Sequence, residues 1–187
     1  VDLVSVSSHK VHGPKGVVAL WVRDVNWLQP FVGGGSQEEG LRPGTQNAPG
    51  FVAFARALVL YRERAPEGRA RIAAIRHRFW RLASQRVPNI EVNGGEHAAP
   101  HIMSLNVPGV RAEMLLHALD ARGIRVSAGS ACRSGEVGPT ETLRALGITT
   151  ERGTIRVSWG LTTDPAEVDP VVDALADAVA ELREISQ

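Results

Sequence analysis

Cysteine is nearly absent from this sequence, and so is any surplus of one charge sign. A single cysteine in 187 residues excludes an intramolecular disulfide framework and is typical of a reducing compartment, which predicts a cytoplasmic protein. No apolar run approaches the roughly 20 residues of a membrane span, and the first residues lack the plan of a signal peptide. With 21 Lys and Arg against 20 Asp and Glu, we expect neither nucleic acid nor a membrane as a partner.

What the sequence does contain is an alternation of strand-like and helix-like segments. Hydrophobic residues make up 43% of the chain and charged residues 22%, which is typical of a globular protein. Periodicity predicts an α/β fold. The predicted strands are residues 1–7, 16–22, 102–107, 124–126 and 154–159, and the predicted helices are residues 50–64, 67–86, 111–122, 140–146 and 165–185.

Pro66 separates the predicted helices at residues 50–64 and 67–86, and we place the domain boundary there because proline disfavours a helix interior. The predicted domains are residues 1–66 and 67–187. Since residues 1–7 already have the pattern of a strand, we expect the chain to begin inside a larger protein.

A lysine follows the first predicted strand directly, in the run Ser7, Ser8, His9, Lys10. A lysine held at a strand end can react with an aldehyde cofactor and pass it to an amino-acid substrate. Ser7 and His9 can each donate a hydrogen bond to a phosphate. Spacing alone leaves open a second interpretation, an exposed lysine in a turn rich in glycine and proline.

The single cysteine, Cys132, lies among small residues in Ser-Ala-Gly-Ser-Ala-Cys-Arg-Ser-Gly, residues 127–135. This composition favours a pliable, exposed loop, which suits a nucleophile that approaches a substrate and then delivers a product. Arg133 favours the thiolate, whereas Glu136 opposes it. The alternative is a small buried hydrophobic residue.

Two weaker signals complete the pattern. Residues 33–47 form a glycine-rich segment with Arg42 and Thr45 just before a predicted helix. Such a segment suits the binding of an anion. The alternative is a plain connection in which the glycines serve only the backbone angles. Arg156 lies on a predicted strand, where it can bind a carboxylate through two parallel hydrogen bonds or serve a structural role. The scattered histidines have no metal-ligand spacing, so no metal is expected.

Taken together, these segments resemble a known family. Residues 7–16, Ser-Ser-His-Lys-Val-His-Gly-Pro-Lys-Gly, resemble the cofactor-lysine segment of the cysteine desulfurases, which are members of the aminotransferase class V family. Residues 127–132 match the Ser-x-Gly-Ser-Ala-Cys loop of the group I enzymes. The resemblance implies the end of the large domain of a fold type I (aspartate aminotransferase-like) enzyme, which depends on pyridoxal 5'-phosphate, followed by its small α/β carboxy-terminal domain.

The resemblance also implies roles for individual residues. Lys10 matches the catalytic lysine that binds the cofactor covalently, and Cys132 matches the catalytic cysteine that takes the sulfur. Arg156 matches the arginine that binds the substrate carboxylate. The residues that match cofactor-phosphate contacts are Ser7, His9 and Thr45, the last of them reaching the cofactor of the partner subunit in a homodimer.

The implied reaction removes sulfur from L-cysteine, releases L-alanine and leaves a persulfide on Cys132 for a sulfur-acceptor protein, either an iron-sulfur scaffold or a thiolation factor. The alternatives are a selenocysteine lyase or an aminotransferase of the same class, or a non-catalytic truncated scaffold subunit. Val18 departs from the glycine usual in the family. The family's ring-stacking histidine and pyridine-pairing aspartate have no counterpart here, so we expect this piece alone to be inactive.

Overall fold

The computed structural model describes residues 1–95, 97–128, 140–148 and 153–185. It divides into an amino-terminal unit, Val1–Pro66, and a carboxy-terminal unit, Glu67–Gln187. Over the described ranges, none of the helices combines the length and the apolar character needed to cross a membrane.

The amino-terminal unit is built on an antiparallel hairpin. Strands β1 (Leu3–Ser7) and β2 (Val18–Val22) pair from Leu3 opposite Val22 to Ser7 opposite Val18. Both strands were predicted, and each begins two residues later than expected. A short 3-10 helix, Ser8–Val11, lies between the two strands, and two more, Val25–Trp27 and Gln37–Gly40, follow β2 before helix α1 (Ala48–Arg86) begins.

Apolar side chains are exposed on both faces of this hairpin. Because residues directly opposite each other share a face of the sheet, Leu3, Val18 and Leu20 lie on one face, while Val4 and Trp21 lie on the other. All five are exposed. An isolated two-stranded hairpin is at best marginally stable in water, so packing on α1 supports this unit.

Helix α1 is continuous over 39 residues with Pro66 inside it. The prediction of two helices separated by a break at Pro66 is therefore wrong. A proline in a helix interior costs about 3 kcal/mol, because it removes one backbone hydrogen bond. Buried residues on both sides of Pro66, including Phe54, Ala65 and Ile72, favour continuation of the helix.

Over the residues that the structure describes, the carboxy-terminal unit contains a four-stranded antiparallel sheet and several helices. The strands are β3 (Glu91–Asn93), β4 (Ile102–Val107), β5 (Ser127–Ala128) and β6 (Gly153–Ser158), and their order in the sheet is β3-β4-β6-β5. The helices are the end of α1, α2 (Ala112–Asp120), α3 (Glu141–Ala145) and α4 (Val168–Ile185).

One hydrophobic core joins the sheet to α1, α2 and α4. Its fully buried members include Phe79 of α1, Leu105 of β4, Leu115 of α2, Ile155 of β6 and Val172 of α4. Phe79 also meets the ring of Trp159 edge-to-face, with the ring centroids 5.5 Å apart. Burial on this scale is the main stabilising contribution in this unit.

The edge strands of this sheet differ from expectation. A strand was predicted at residues 124–126, but the ladder forms at Ser127–Ala128 instead. Ile124 and Val126 are nevertheless partly buried against the core, so their apolar character indicates burial and not strand pairing. Strand β3 was not predicted, because Val92 is its only apolar residue.

Candidate active site

The turn that carries Lys10 is fixed at both of its ends by backbone hydrogen bonds. Strand β1 stops at Ser7, and the chain enters the 3-10 helix Ser8–Val11 at once. The Ser8 N–H donates to the Val17 carbonyl at 3.0 Å, and the Gly13 N–H donates to the Ser8 carbonyl at 2.9 Å. Lys10 therefore lies in the middle of a turn whose path is set by the hairpin.

Close packing also restricts this turn. A Cβ atom at Gly13 would lie 2.1 Å from Ser8 Oγ and 3.1 Å from the Ser8 carbonyl oxygen, so only glycine fits without a shift. At Gly50, in the first turn of α1, a Cβ would lie 2.7 Å from Val17 Cγ2. The first close approach thus lies within the lysine turn, and the second holds Val17, at the end of the turn, against the start of the helix.

The side chains of the turn differ in exposure. Lys10 and His9 are exposed, Ser7 is half-buried and Ser8 is fully buried. Within the described part of the chain, the Lys10 amine has no ion pair or hydrogen bond. It is therefore available to react, with the Ser7 hydroxyl and the His9 imidazole as neighbouring donors.

The glycine-rich segment folds back on itself before α1 begins. The Gly44 N–H donates to Gln37 Oε1 at 3.2 Å, and Glu38 and Glu39 adopt left-handed backbone angles. Asn47 then caps α1, since its Oδ1 accepts from the Gly50 N–H at 3.0 Å. Thr45 is exposed between these two features.

Arg156 lies on β6, an inner strand of the carboxy-terminal sheet. Strand β6 runs between β4 and β5, so Arg156 is directly opposite Ser104 on one side and Ser127 on the other. Asn93 of β3 is opposite Ser104 in turn, and its Nδ2 donates to Ser104 Oγ at 3.1 Å. These four side chains form one polar row across four strands, and each of them is half-buried.

Cys132 lies outside the described residues, so its predicted place on a pliable, exposed loop stays a prediction. In sequence it is the fourth residue after Ala128, the last residue of β5. The segment that carries the cysteine therefore begins on the strand that pairs with the strand of Arg156.

The predicted site residues fall into two groups. Ser7, His9, Lys10 and Thr45 lie in the amino-terminal unit, and Arg156 lies in the carboxy-terminal unit. Among the first group, the structure brings Ser7, His9 and Lys10 together on one turn, and no hydrogen bond among the described residues links Thr45 to that turn. In the described ranges, no three His, Cys, Asp or Glu side chains lie close enough together to hold a metal ion.

Sequence reasoning missed the polar partners of Arg156. Ser104 alternates with Met103 and Leu105 on β4, and this period of two was a signal that Ser104 lies on the face away from the core. No comparable signal identified Asn93, because β3 was not predicted.

Comparison with known proteins supports a family assignment. A family model described as aminotransferase class-V matches residues 1–171. A solved structure of a NifS-like protein matches with a TM-score of 0.85 and 30% sequence identity. The match covers 97% of this chain and 47% of the NifS-like chain. The fold is thus that of a pyridoxal-phosphate-dependent fold type I enzyme, as predicted, and the chain belongs to the aminotransferase class-V family.

Relatives of known name agree with this assignment. A cysteine desulfurase of Bradyrhizobium diazoefficiens is 38% identical over 189 residues, covering all of this chain and 48% of the relative. A cysteine desulfurase of Gluconacetobacter diazotrophicus is 37% identical over the same length and is 47% covered. The chain therefore spans about half the length of the relatives it matches.

Proposed function

We propose that this chain is the carboxy-terminal half of a cysteine desulfurase, which removes sulfur from L-cysteine and releases L-alanine. The observation that carries the proposal is the placement of Lys10, exposed and unpaired among the described residues, on a turn fixed by the hairpin. The similarity of the whole chain to named cysteine desulfurases supports the choice of reaction.

The residues of the lysine turn fit pyridoxal phosphate. Lys10 offers an amine that is free to bond covalently, and Ser7 and His9 are neighbouring donors for the phosphate oxygens. When bound, the cofactor supplies an electron sink for the substrate's α-carbon. Lys10 holds the cofactor before substrate arrives and afterwards carries protons to and from the substrate carbons.

The sulfur step belongs to Cys132. Its thiolate attacks the sulfur of the substrate cysteine, so that an S–S bond forms as the substrate's C–S bond breaks. The electron pair of the broken bond stays with carbon, which takes up a proton and leaves as alanine. Cys132 keeps the transferred sulfur as a persulfide, and no external oxidant or reductant is needed. An iron-sulfur scaffold or a thiolation factor then accepts the sulfur.

Arg156 orients the substrate in this scheme. A guanidinium offers parallel donors that match both oxygens of a carboxylate. Arg156 is half-buried on the central strand β6, and the segment bearing Cys132 starts from the neighbouring strand β5. This placement supports a role for Arg156 in binding the substrate carboxylate close to Cys132. We further propose that the enzyme is a cytoplasmic homodimer in which Thr45 contacts the cofactor phosphate of the partner subunit.

Replacing Lys10 tests the cofactor role, with Lys15 of the same turn as the matched control. In the full-length enzyme, Lys10→Ala should lose covalent attachment of the cofactor, measured as the peptide mass added after borohydride reduction. Lys15→Ala should keep that mass on Lys10. Attachment that survives in Lys10→Ala would refute the assignment.

Replacing Cys132 tests the reaction itself. Cys132→Ala should keep the visible absorbance of the bound cofactor but lose alanine and sulfide production from L-cysteine. Retained sulfur release would contradict the proposal, and formation of a keto acid in place of alanine would indicate an aminotransferase.

A further inference from the structure

The polar row across the carboxy-terminal sheet contains donors whose hydrogens have no acceptor among the described residues. Arg156 has no acidic partner there, although it is half-buried. Ser104 accepts from Asn93 Nδ2, so its oxygen is used as an acceptor and its own proton remains to be donated.

The neighbour of Ser104 on β6 cannot accept a hydrogen bond from the Ser104 hydroxyl. Directly opposite residues on one face of an antiparallel pair have Cβ atoms about 5 Å apart, and Arg156 is the residue opposite Ser104 on β6. A guanidinium has only donors and no acceptor. Ser104 and Arg156 therefore present a hydroxyl donor next to a cationic donor fork, and an anion satisfies both.

The adjacent row of the same sheet face shows where such an anion can enter. Two residues further along, Asn106 and Thr154 are opposite each other and are buried, with Asn106 Nδ2 bonded to Glu91 Oε2 at 2.9 Å. The row of Ser104 and Arg156 is only half-buried. This face of the sheet is therefore closed to solvent at Asn106 and accessible to solvent at Arg156.

We propose that Ser104 is a second binding residue for the substrate carboxylate, donating its hydroxyl beside Arg156, and that Asn93 is the positioning residue that aims this hydroxyl. The identity of the anion rests on the proposed function, whereas the pairing of the two donors rests on strand register and the bond from Asn93. Ser104 thus helps to select substrates that carry a carboxylate.

The test replaces Ser104 in the full-length enzyme and measures binding apart from turnover. Ser104→Ala should raise KM for L-cysteine, and the Kd for L-alanine followed by cofactor absorbance, each by about tenfold, because a hydrogen bond to a charged group is lost. The kcat and the midpoint of thermal unfolding should stay near their wild-type values. Ser104→Thr keeps the hydroxyl and should restore both KM and Kd.

Ser158 supplies the matched control. It is a serine on the same strand and face as Arg156, one row away and exposed, so Ser158→Ala should leave KM and Kd unchanged. If Ser104→Ala leaves both constants unchanged while Arg156→Ala raises them, the role of Ser104 is refuted and the proposed function stands.

Two other results also overturn the inference. Unchanged KM and Kd in Arg156→Ala would remove the carboxylate site altogether, and with it the role of Ser104. A rise in KM for Ser104→Ala that comes with a lower unfolding midpoint and is not restored by Ser104→Thr would show a structural role only.

Discussion

Substituting Gly13 with alanine should strain the lysine turn through one identifiable contact. The added Cβ would lie 2.1 Å from Ser8 Oγ, far inside van der Waals contact, and 3.1 Å from the Ser8 carbonyl oxygen. Ser8 is fully buried, and its backbone N–H and carbonyl are both hydrogen-bonded. It therefore has little freedom to move away.

The structure also predicts the size of the effect and its rescue. Overpacking of this kind costs about 1–3 kcal/mol, so Gly13→Ala should lower the free energy of unfolding by that amount. Ser8 Oγ has no hydrogen-bond partner among the described residues, and a buried unsatisfied hydroxyl is itself destabilising. Ser8→Ala should therefore be neutral or slightly stabilising, and the double variant should regain at least about 1 kcal/mol relative to Gly13→Ala.

Urea denaturation of the wild type, Gly13→Ala, Ser8→Ala and the double variant measures the coupling between the two substitutions directly. Gly33→Ala is the control, because a Cβ at Gly33 meets nothing within 4 Å and its change should stay within about 0.5 kcal/mol. If the effects of Ser8→Ala and Gly13→Ala are simply additive, the contact between Ser8 Oγ and the added Cβ is not the source of the strain.

Two further predictions concern other parts of the molecule. Mixing Lys10→Ala subunits with Thr45→Val subunits should restore about a quarter of wild-type activity, because half of the dimers then contain one intact composite site; absence of any restoration would place Thr45 in its own subunit's site. Phe79→Ala should lower the free energy of unfolding by about 3–5 kcal/mol, since Phe79 is buried against Trp159. A loss below about 1 kcal/mol in a denaturant titration would contradict that reading of the core.

Local patterns were sufficient to predict most of the elements. The β-branched run before Lys10 predicted β1, and the apolar spacing of Val168, Val172 and Leu175 predicted the buried face of α4. Lys10 was predicted to follow the first strand directly; it lies three residues after the end of β1, in a 3-10 helix that the pattern did not predict.

Features that depend on contacts distant in sequence could not be predicted in this way. The local preference of Pro66 predicted a break, whereas buried residues on both sides favour one helix. The polar row of Asn93, Ser104 and Arg156 depends on strand register, which pairs Ser104 with Arg156, 52 positions further along the chain, and register cannot be known until the strands are paired. The cofactor-phosphate roles of Ser7, His9 and Thr45 remain predictions.

The hairpin of β1 and β2 sets a practical limit on handling this polypeptide by itself. Leu3, Val18 and Leu20 are exposed on one face of the ribbon and Val4 and Trp21 on the other, and apolar residues grouped on an exposed face promote self-association. The outer edges of a ribbon with two strands also offer backbone groups to any extended chain nearby. Expression of this hairpin with both faces uncovered therefore favours inclusion bodies.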